Sequence, residues 1–188
     1  MTRNNIPWSF VVGVAQIPET GLHQELKASD AQLGDLTALA GVRSIKDARA
    51  TLDALPISGE RVQVTGHVTA IVEQTCVVTL DPIETVVDEP IDVTFAPPSQ
   101  ISSTARVVTR EEGDDAEIPD PPDPIVNGTI DLGQLATEVL MLGIDPYPRK
   151  PGAVFESLQE ARDPDEHPFA ALKALKAGHS APKDKKTK

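Results

Sequence analysis

The chain has 188 residues, enough for one hydrophobic core, and because only 3% are aromatic, that core must be built mainly from Val, Leu, Ile and Ala. Its formal charge of −12 and its pI near 4.7 argue against non-specific binding to the phosphate backbone of nucleic acids, which needs clustered Lys and Arg. The lone cysteine excludes an internal disulfide, and no apolar run reaches the length of a signal sequence or a membrane span, so we expect a cytoplasmic protein.

The first quarter of the chain predicts a strand, a second strand and a helix. Alternating apolar residues over 8–15 predict a strand, and "TGLHQELKAS" could be its antiparallel partner. Ser29 and Gln32 have capping-box spacing and Gly41 suits a C-terminal cap, so we expect a helix between them. The following "SIKDARATLDALP" fits a helix and a strand equally well by pattern.

Alternating residues from Val62 to Val72 predict a half-buried antiparallel strand. A turn over 73–75 should lead to a second strand, "CVVTL", that begins at Cys76, and "IDVTFAP" should form a third. Three consecutive strands suggest a meander.

Residues 97–127 are rich in proline and acid and predict a flexible loop, because such a segment cannot bury enough apolar surface to offset its ordering entropy. Its acids are candidates for binding a basic partner. They are Glu111, Glu112, Asp114, Asp115 and Glu117.

A helix is predicted after Asp131, which has N-cap spacing to Gln134, and Gly143 should end it. Its apolar stripe comprises Leu132, Leu135, Ala136, Val139 and Leu142. A last helix is predicted in "HPFAALKALKAG", and residues 179–188 should be a disordered tail whose Lys183, Lys185 and Lys186 could also contact a partner. The expected fold is α+β, an antiparallel sheet or partly open barrel with a few packed helices, in one domain over 1–178 that the acidic loop interrupts.

The candidates for chemistry are few. Cys76 and the four histidines (23, 67, 167 and 179) lack metal-binding spacings, and neither a phosphate-binding glycine loop nor a serine nucleophile elbow occurs, so we predict no metal, no cofactor and no catalytic residue. Cys76 shares its apolar alternation with Val78 and Leu80, which favours a buried, inert thiol over a nucleophile.

Three segments together resemble the YceD family of bacterial and plastid proteins, in its alphaproteobacterial form. They are "GHVTAIVEQTCVVTLDPIETVVDEPIDVTF", "IDLGQLATEVLMLGIDPYP" and "HPFAALKALK", and in this order they cover roughly residues 8–178. The resemblance implies a strand for residues 43–55. The positions that it singles out, as structural or interaction residues, are Gly66, Gln74, Cys76, Asp131, Leu132, Glu138, Pro168 and Phe169. Many relatives carry further Cys or His residues that would suit zinc, whereas this chain has Thr79, Arg149 and Lys150 there.

The resemblance also implies a non-enzymatic role in the synthesis, processing or stability of large-subunit 23S ribosomal RNA, and hence in ribosome assembly. The expected partners are a precursor of the large subunit or basic ribosomal proteins, and direct contact with the RNA stays open. The alternative is a general protein-binding adaptor that uses the exposed side of the helix over 130–143. A cysteine-dependent enzyme is a third hypothesis, disfavoured because no base accompanies Cys76.

Overall fold

The computed structural model describes residues 6–101 and 121–155. The chain divides into two compact units, Met1–Ala153 and Val154–Lys188, and the fold described below is that of the first. Most of the predicted acidic loop, the predicted closing helix and the predicted tail lie outside the described residues, as does the predicted boundary at 178.

The fold is α+β, as expected, and its β-structure is mainly an antiparallel sheet, in which only the short β6 pairs in parallel, with β5. The main sheet has five strands in the order β2-β3-β4-β5-β6, and a small second sheet pairs β1 with β7. The elements are β1 (Val11–Gly13), β2 (Leu22–Lys27), α1 (Asp30–Ala40), β3 (Ser44–Ile57), β4 (Arg61–Thr75), β5 (Pro82–Ala96), β6 (Asp123–Pro124), β7 (Thr129–Asp131) and α2 (Leu132–Gly143).

The segment "SIKDARATLDALP", whose pattern fits a helix and a strand equally well, forms strand β3. It pairs along its length with β4 on one side, and over residues 49–54 with β2 on the other. Its small residues Ala48, Ala50 and Ala54 all lie on the buried face. The backbone groups of successive β3 residues point alternately to the two neighbouring strands and form hydrogen bonds there. These long-range bonds select the strand where the sequence pattern alone allows a helix or a strand.

The prediction for β1 was correct in part. Only Val11–Gly13 forms a strand, and Val14–Gln16 is a short 3-10 turn. The expected pairing of this strand with β2 is wrong, because β1 pairs with β7 and β2 pairs with β3. Trp8 and Val12 are buried as their alternation predicts, whereas Phe10 is exposed.

Both helices described here begin where the sequence indicates. Ser29 caps α1 with the full capping box to Gln32, and Gly41 adopts the left-handed conformation at its end. In α2 the predicted stripe is wrong at one position, since Leu142 is 86% exposed and Leu140 is fully buried. Helix α2 packs on the core face of β4 and β5, where Leu132, Leu135 and Leu140 join the valines of β4. None of the helices in the described ranges is long and apolar enough to cross a bilayer.

Candidate functional site

Cys76 lies in the connection between β4 and β5 and not in a strand, which corrects the prediction for "CVVTL". Strand β4 continues through the predicted turn to Thr75, and residues 76–81 form a tight loop before β5 begins at Pro82. Backbone bonds close this loop at both ends: the N–H of Cys76 donates to Asp81, and the N–H of Leu80 donates back to Cys76. The apolar alternation of Cys76, Val78 and Leu80 is therefore incidental, and Leu80 is exposed with a left-handed backbone. We call residues 76–81 the cysteine loop.

The sulfur of Cys76 is enclosed by backbone amides from two parts of the chain. The N–H of Thr79 donates to Sγ at 3.4 Å and the N–H of Lys150 donates to it at 3.3 Å, and the side chain is fully buried. Lys150 also pairs through Nζ with Asp81 at 3.2 Å, and the N–H of Val77 donates to the carbonyl of Pro148. The cysteine loop is thus tied to the segment that follows α2.

These donors alter the acidity of the thiol. The pKa of Cys76 is lowered from its ordinary 9.0 to about 6. The largest cause is the hydrogen bond from the N–H of Lys150, and the hydrogen bonds from Thr79 come next. A low pKa favours reactivity, but a sulfur that solvent cannot reach is a poor nucleophile. The loop therefore positions this acidic thiol and shields it from solvent. In the described part of the chain, no group of three or more His, Cys, Asp or Glu side chains is arranged to hold a metal ion.

Gln74 provides a second link between the sheet and the segment after α2. Its side chain is 6% exposed, donates through Nε2 to the carbonyl of Asp145 at 2.7 Å, and accepts from Thr85 at 3.2 Å. A buried amide with both ends satisfied fixes the orientation of what it joins. Gln74 and Cys76 therefore both anchor the chain that leaves α2.

Asp131 organises the start of α2. Its carboxylate caps the helix by accepting from the N–H groups of Gly133 and Gln134, and it also accepts from the hydroxyl of Ser9 and the N–H of Phe10. Gly133 allows a close approach here, since a Cβ atom would stand 2.5 Å from the carbonyl oxygen of Trp8. The adjacent Leu132 is fully buried. Both residues are structural.

Gly66 lies on β4 opposite Leu52 of β3. A Cβ atom there would overlap the carbonyl oxygen of Thr51, and its φ of +154° is a conformation that side chains rarely adopt. Its role is steric.

Glu138 is the one resemblance-derived position within residues 6–101 and 121–155 that faces solvent. It accepts from Gln134 one turn earlier and lies at the rim of a groove of about 850 Å³ between the end of α1 and the outer side of α2. The groove is lined mainly by apolar side chains, among them Leu39, Met141, Leu142 and Ile144. Leu39 and Leu142 are largely exposed. We call this surface the helix groove, and it can accept an apolar side chain of a partner.

The side of the main sheet away from the core is polar and rich in acid. Glu25, Asp53, Asp88 and Asp92 are exposed on β2, β3 and β5, beside the bases Lys27 and Arg49 at one end of β2 and β3. His23 bonds to Asp53 at 2.7 Å, and this hydrogen bond, reinforced by the charge of Asp53, raises the pKa of the imidazole above 6.5. We call this surface the outer sheet face. Its charge suits a basic partner.

The structure brings together Gln74 and Cys76 through the segment that follows α2, and the same segment lines the helix groove with Ile144 and Pro146, on either side of the Asp145 carbonyl that Gln74 binds. Pro168, Phe169, the five acids of the predicted loop and the three lysines of the tail lie outside the described residues. Sequence patterns missed the role of Lys150, which acts through its backbone N–H, and that of Leu142, which was assigned to the inward stripe. The signal for Leu142 was its place at the end of the helix, where the rotation of the stripe carries it away from the core.

Comparison with protein families gives one match. Residues 64–176, more than half of the chain, match the family model described as "Large ribosomal RNA subunit accumulation protein YceD". Comparisons with curated proteins and with solved structures found no match. The matched range includes most of β4 and all of β5 and α2, and hence the cysteine loop and most of the helix groove.

Proposed function

Because this chain belongs to the YceD family, whose name connects it with accumulation of large-subunit ribosomal RNA, we propose that it is a non-enzymatic factor in ribosome assembly. It supports the synthesis, processing or stability of 23S ribosomal RNA in the cytoplasm. The single observation that carries this proposal is the family match over residues 64–176. The alphaproteobacterial type stays a prediction.

The charge of the molecule favours action through proteins over direct binding of RNA. The chain carries −12 overall, and the outer sheet face presents exposed carboxylates on β2, β3 and β5. Carboxylates repel phosphate groups, whereas they attract the Lys and Arg side chains of basic ribosomal proteins. The acids at 111–117 add to this charge in sequence, and we propose that they contribute to the same attraction.

The helix groove supplies what charge alone does not. Charge speeds encounter, while a few apolar side chains seated in a pocket usually hold a complex together. Leu142 and Leu39 are exposed apolar residues beside Glu138. A partner segment with one apolar anchor next to a basic residue would match this arrangement.

Depletion of the protein followed by comparison of 23S and 16S ribosomal RNA tests the proposed function. We expect 23S RNA to fall relative to 16S RNA, together with large subunits. An unchanged ratio would overturn the proposal.

Complementation with surface variants tests the groove. Leu142→Glu puts a charge into the helix groove at a side chain that is 86% exposed, so folding should be retained while 23S levels are not restored. Leu80→Glu is the matched control, because Leu80 is also largely exposed but lies in the cysteine loop, outside both the helix groove and the outer sheet face. Equal rescue by both variants would remove the groove from the mechanism.

The exposed side of α2 also favours the second candidate, a general adaptor unrelated to the ribosome. Affinity capture with the wild-type chain and with Leu142→Glu separates the two functions. Enrichment of basic ribosomal proteins by the wild-type chain supports the first, and a single signalling or metabolic partner supports the second. A Cys76→Ser variant should complement fully, and failure of a folded Cys76→Ser protein would favour the cysteine-dependent enzyme.

A further inference from the structure

Strand β2 has one edge without a partner strand in the described ranges. It pairs with β3 on one side only, and it lies at the end of the main sheet. Strand β5, towards the other end, is protected differently, since Pro90 in its middle has no N–H to donate and β6 pairs at its end. The six residues of β2 include no proline. An edge of this kind is a template for another strand.

The direction of the backbone groups along β2 follows from two hydrogen bonds. The N–H of Ala28 donates to Ala48 of β3, so even-numbered residues direct their backbone groups towards β3. His23, Glu25 and Lys27 therefore direct theirs to the free edge. The side-chain amide of Gln24 agrees with this, because it donates to the carbonyl of Glu25 at 3.0 Å and so covers one of the edge acceptors.

We propose that this edge binds the same edge of a second copy of the chain, antiparallel, with Gln24 opposite Gln24 of the second copy. His23 then stands opposite Glu25 of the second copy, and Glu25 opposite its His23. Both residues direct their backbone groups outward, so each of these two positions exchanges both of its N–H···O bonds, and the carbonyl of Glu25, which has two lone pairs, then accepts from the second copy as well as from Gln24. The side chains pair an imidazole with a carboxylate on the outer sheet face.

The neighbouring registers fit less well. A pairing centred on Glu25 would bring two carboxylates face to face and set His23 against Lys27, and like charges directly opposite are destabilising. A shift by one residue would put apolar and polar side chains on the same face. The proposed register places Leu22 opposite Leu26 on the core side, where Leu26 is buried and Leu22 is partly buried.

The assembly closes on itself. The same edge serves both copies, so the pairing gives a two-fold dimer with one continuous sheet and leaves no free β2 edge for a third chain. An interface built on one short strand is small, and we expect dimerisation to depend on concentration. This inference does not rest on the proposed function.

Sedimentation velocity of the full chain over a concentration series is the first test. Glu25→Pro removes an N–H that points to the free edge and none that the pairing with β3 uses, so it should weaken dimerisation roughly tenfold or more without unfolding the chain. Circular dichroism checks the folding of this variant. Should Glu25→Pro be unfolded, Glu25→Lys replaces it, with Asp88→Lys on β5 as the control that makes the same change in charge.

Cross-linking tests the register. Directly opposite residues at a non-hydrogen-bonded position are close enough for a disulfide, so Gln24→Cys should oxidise to a covalent dimer and Glu25→Cys should not. The native thiol does not interfere, because Cys76 is buried. A monomer at every concentration, undiminished dimerisation of the folded Glu25 variant, or faster cross-linking of Glu25→Cys than of Gln24→Cys would each overturn the proposal.

Discussion

At the scale of single residues, the side chains that the resemblance singles out mostly hold the chain together. Gly66 gives β3 room, Gln74 and Cys76 bind the segment after α2, and Asp131 starts α2. Among those of them that the structure describes, Glu138 is the one that is solvent-exposed. The contacts of these residues therefore mainly support the architecture that presents the helix groove.

The acidity of Cys76 gives a first prediction. Lys150→Pro removes the N–H that is the largest cause of the low pKa and should move the thiol pKa upward from about 6, whereas Lys150→Ala keeps this N–H and should leave most of the shift. A pH titration followed by the Cβ chemical shift of Cys76 measures both variants. Equal pKa values in the two variants would contradict the assigned cause.

The same shift predicts how stability varies with pH. The folded pKa lies below the ordinary value of 9.0, so the ionised thiol stabilises the fold. This contribution is complete above pH 9, decreases as the pH falls and is lost below about pH 6. The free energy of unfolding in urea should rise more steeply with pH in the wild type than in Cys76→Ala between about pH 6 and pH 9. Outside this range the ionisation of Cys76 should cause no difference in slope.

Gly66 provides a second prediction with an internal control. Gly66→Ala should lower the free energy of unfolding by about 2–4 kcal/mol, because the new methyl group overlaps the carbonyl of Thr51. Gly34→Ala, on a helix and with nothing within 4 Å of the added atom, should raise it by about 0.5–1 kcal/mol. Chemical denaturation measures both, and a neutral Gly66→Ala would mean that the strands can separate locally.

At the scale of elements, each helix begins at a side chain that is visible in the sequence. Ser29 makes a capping box that involves only neighbouring residues, whereas Asp131 also accepts hydrogen bonds from Ser9 and Phe10, more than a hundred positions away. Local capping fixes where a helix starts. The long-range bonds of Asp131 in addition fix α2 against the first strand.

This difference predicts unequal costs. Ser29→Ala should lower the free energy of unfolding by about 1 kcal/mol, the usual value of an N-cap. Asp131→Ala should cost about 2–3 kcal/mol, because it also leaves the donors of Ser9 and Phe10 without their acceptor. Equal costs in the same denaturation experiment would show that solvent replaces the long-range bonds.

At the scale of the whole molecule, the outer sheet face and the helix groove lie on opposite sides of the main sheet. The acids of the outer sheet face lie on the side of the sheet away from the core, and the helix groove lies on the side where α1 and α2 pack. One copy therefore has two surfaces with different chemistry, one suited to long-range attraction and one to close apolar contact. The proposed function, binding of a basic protein during ribosome assembly, would require both surfaces.

The division predicts two separable effects on binding to pre-50S particles. Association of the wild-type chain should weaken as salt rises, because exposed charges are screened beyond about 10 Å at 0.1 M. Leu142→Glu should weaken it at every salt concentration. Co-sedimentation measures both, and binding that is insensitive to salt would exclude the electrostatic contribution.

The sequence by itself determined the local features of this protein. The capping box at Ser29, the N-cap at Asp131, the alternation of β4 and the burial of Cys76 each depend on neighbouring residues or on a strong period, and all are found in the structure. It also supplied the family, through segments whose order is informative even though each is short.

Only the tertiary structure decided what depends on distant partners. The choice of strand for β3, the pairing of β1 with β7 and the low pKa of Cys76 each need groups far away in sequence: two neighbouring strands, the edge at 129–131 and the N–H of Lys150. The apolar alternation after Cys76 suggested a strand. The structure has a loop there instead, in which the N–H of Cys76 bonds to Asp81 and the N–H of Leu80 bonds to Cys76, so these backbone groups need no partner strand. The period of the sequence indicates which side chains share a face. Long-range contacts determine which element forms and whether that face is buried.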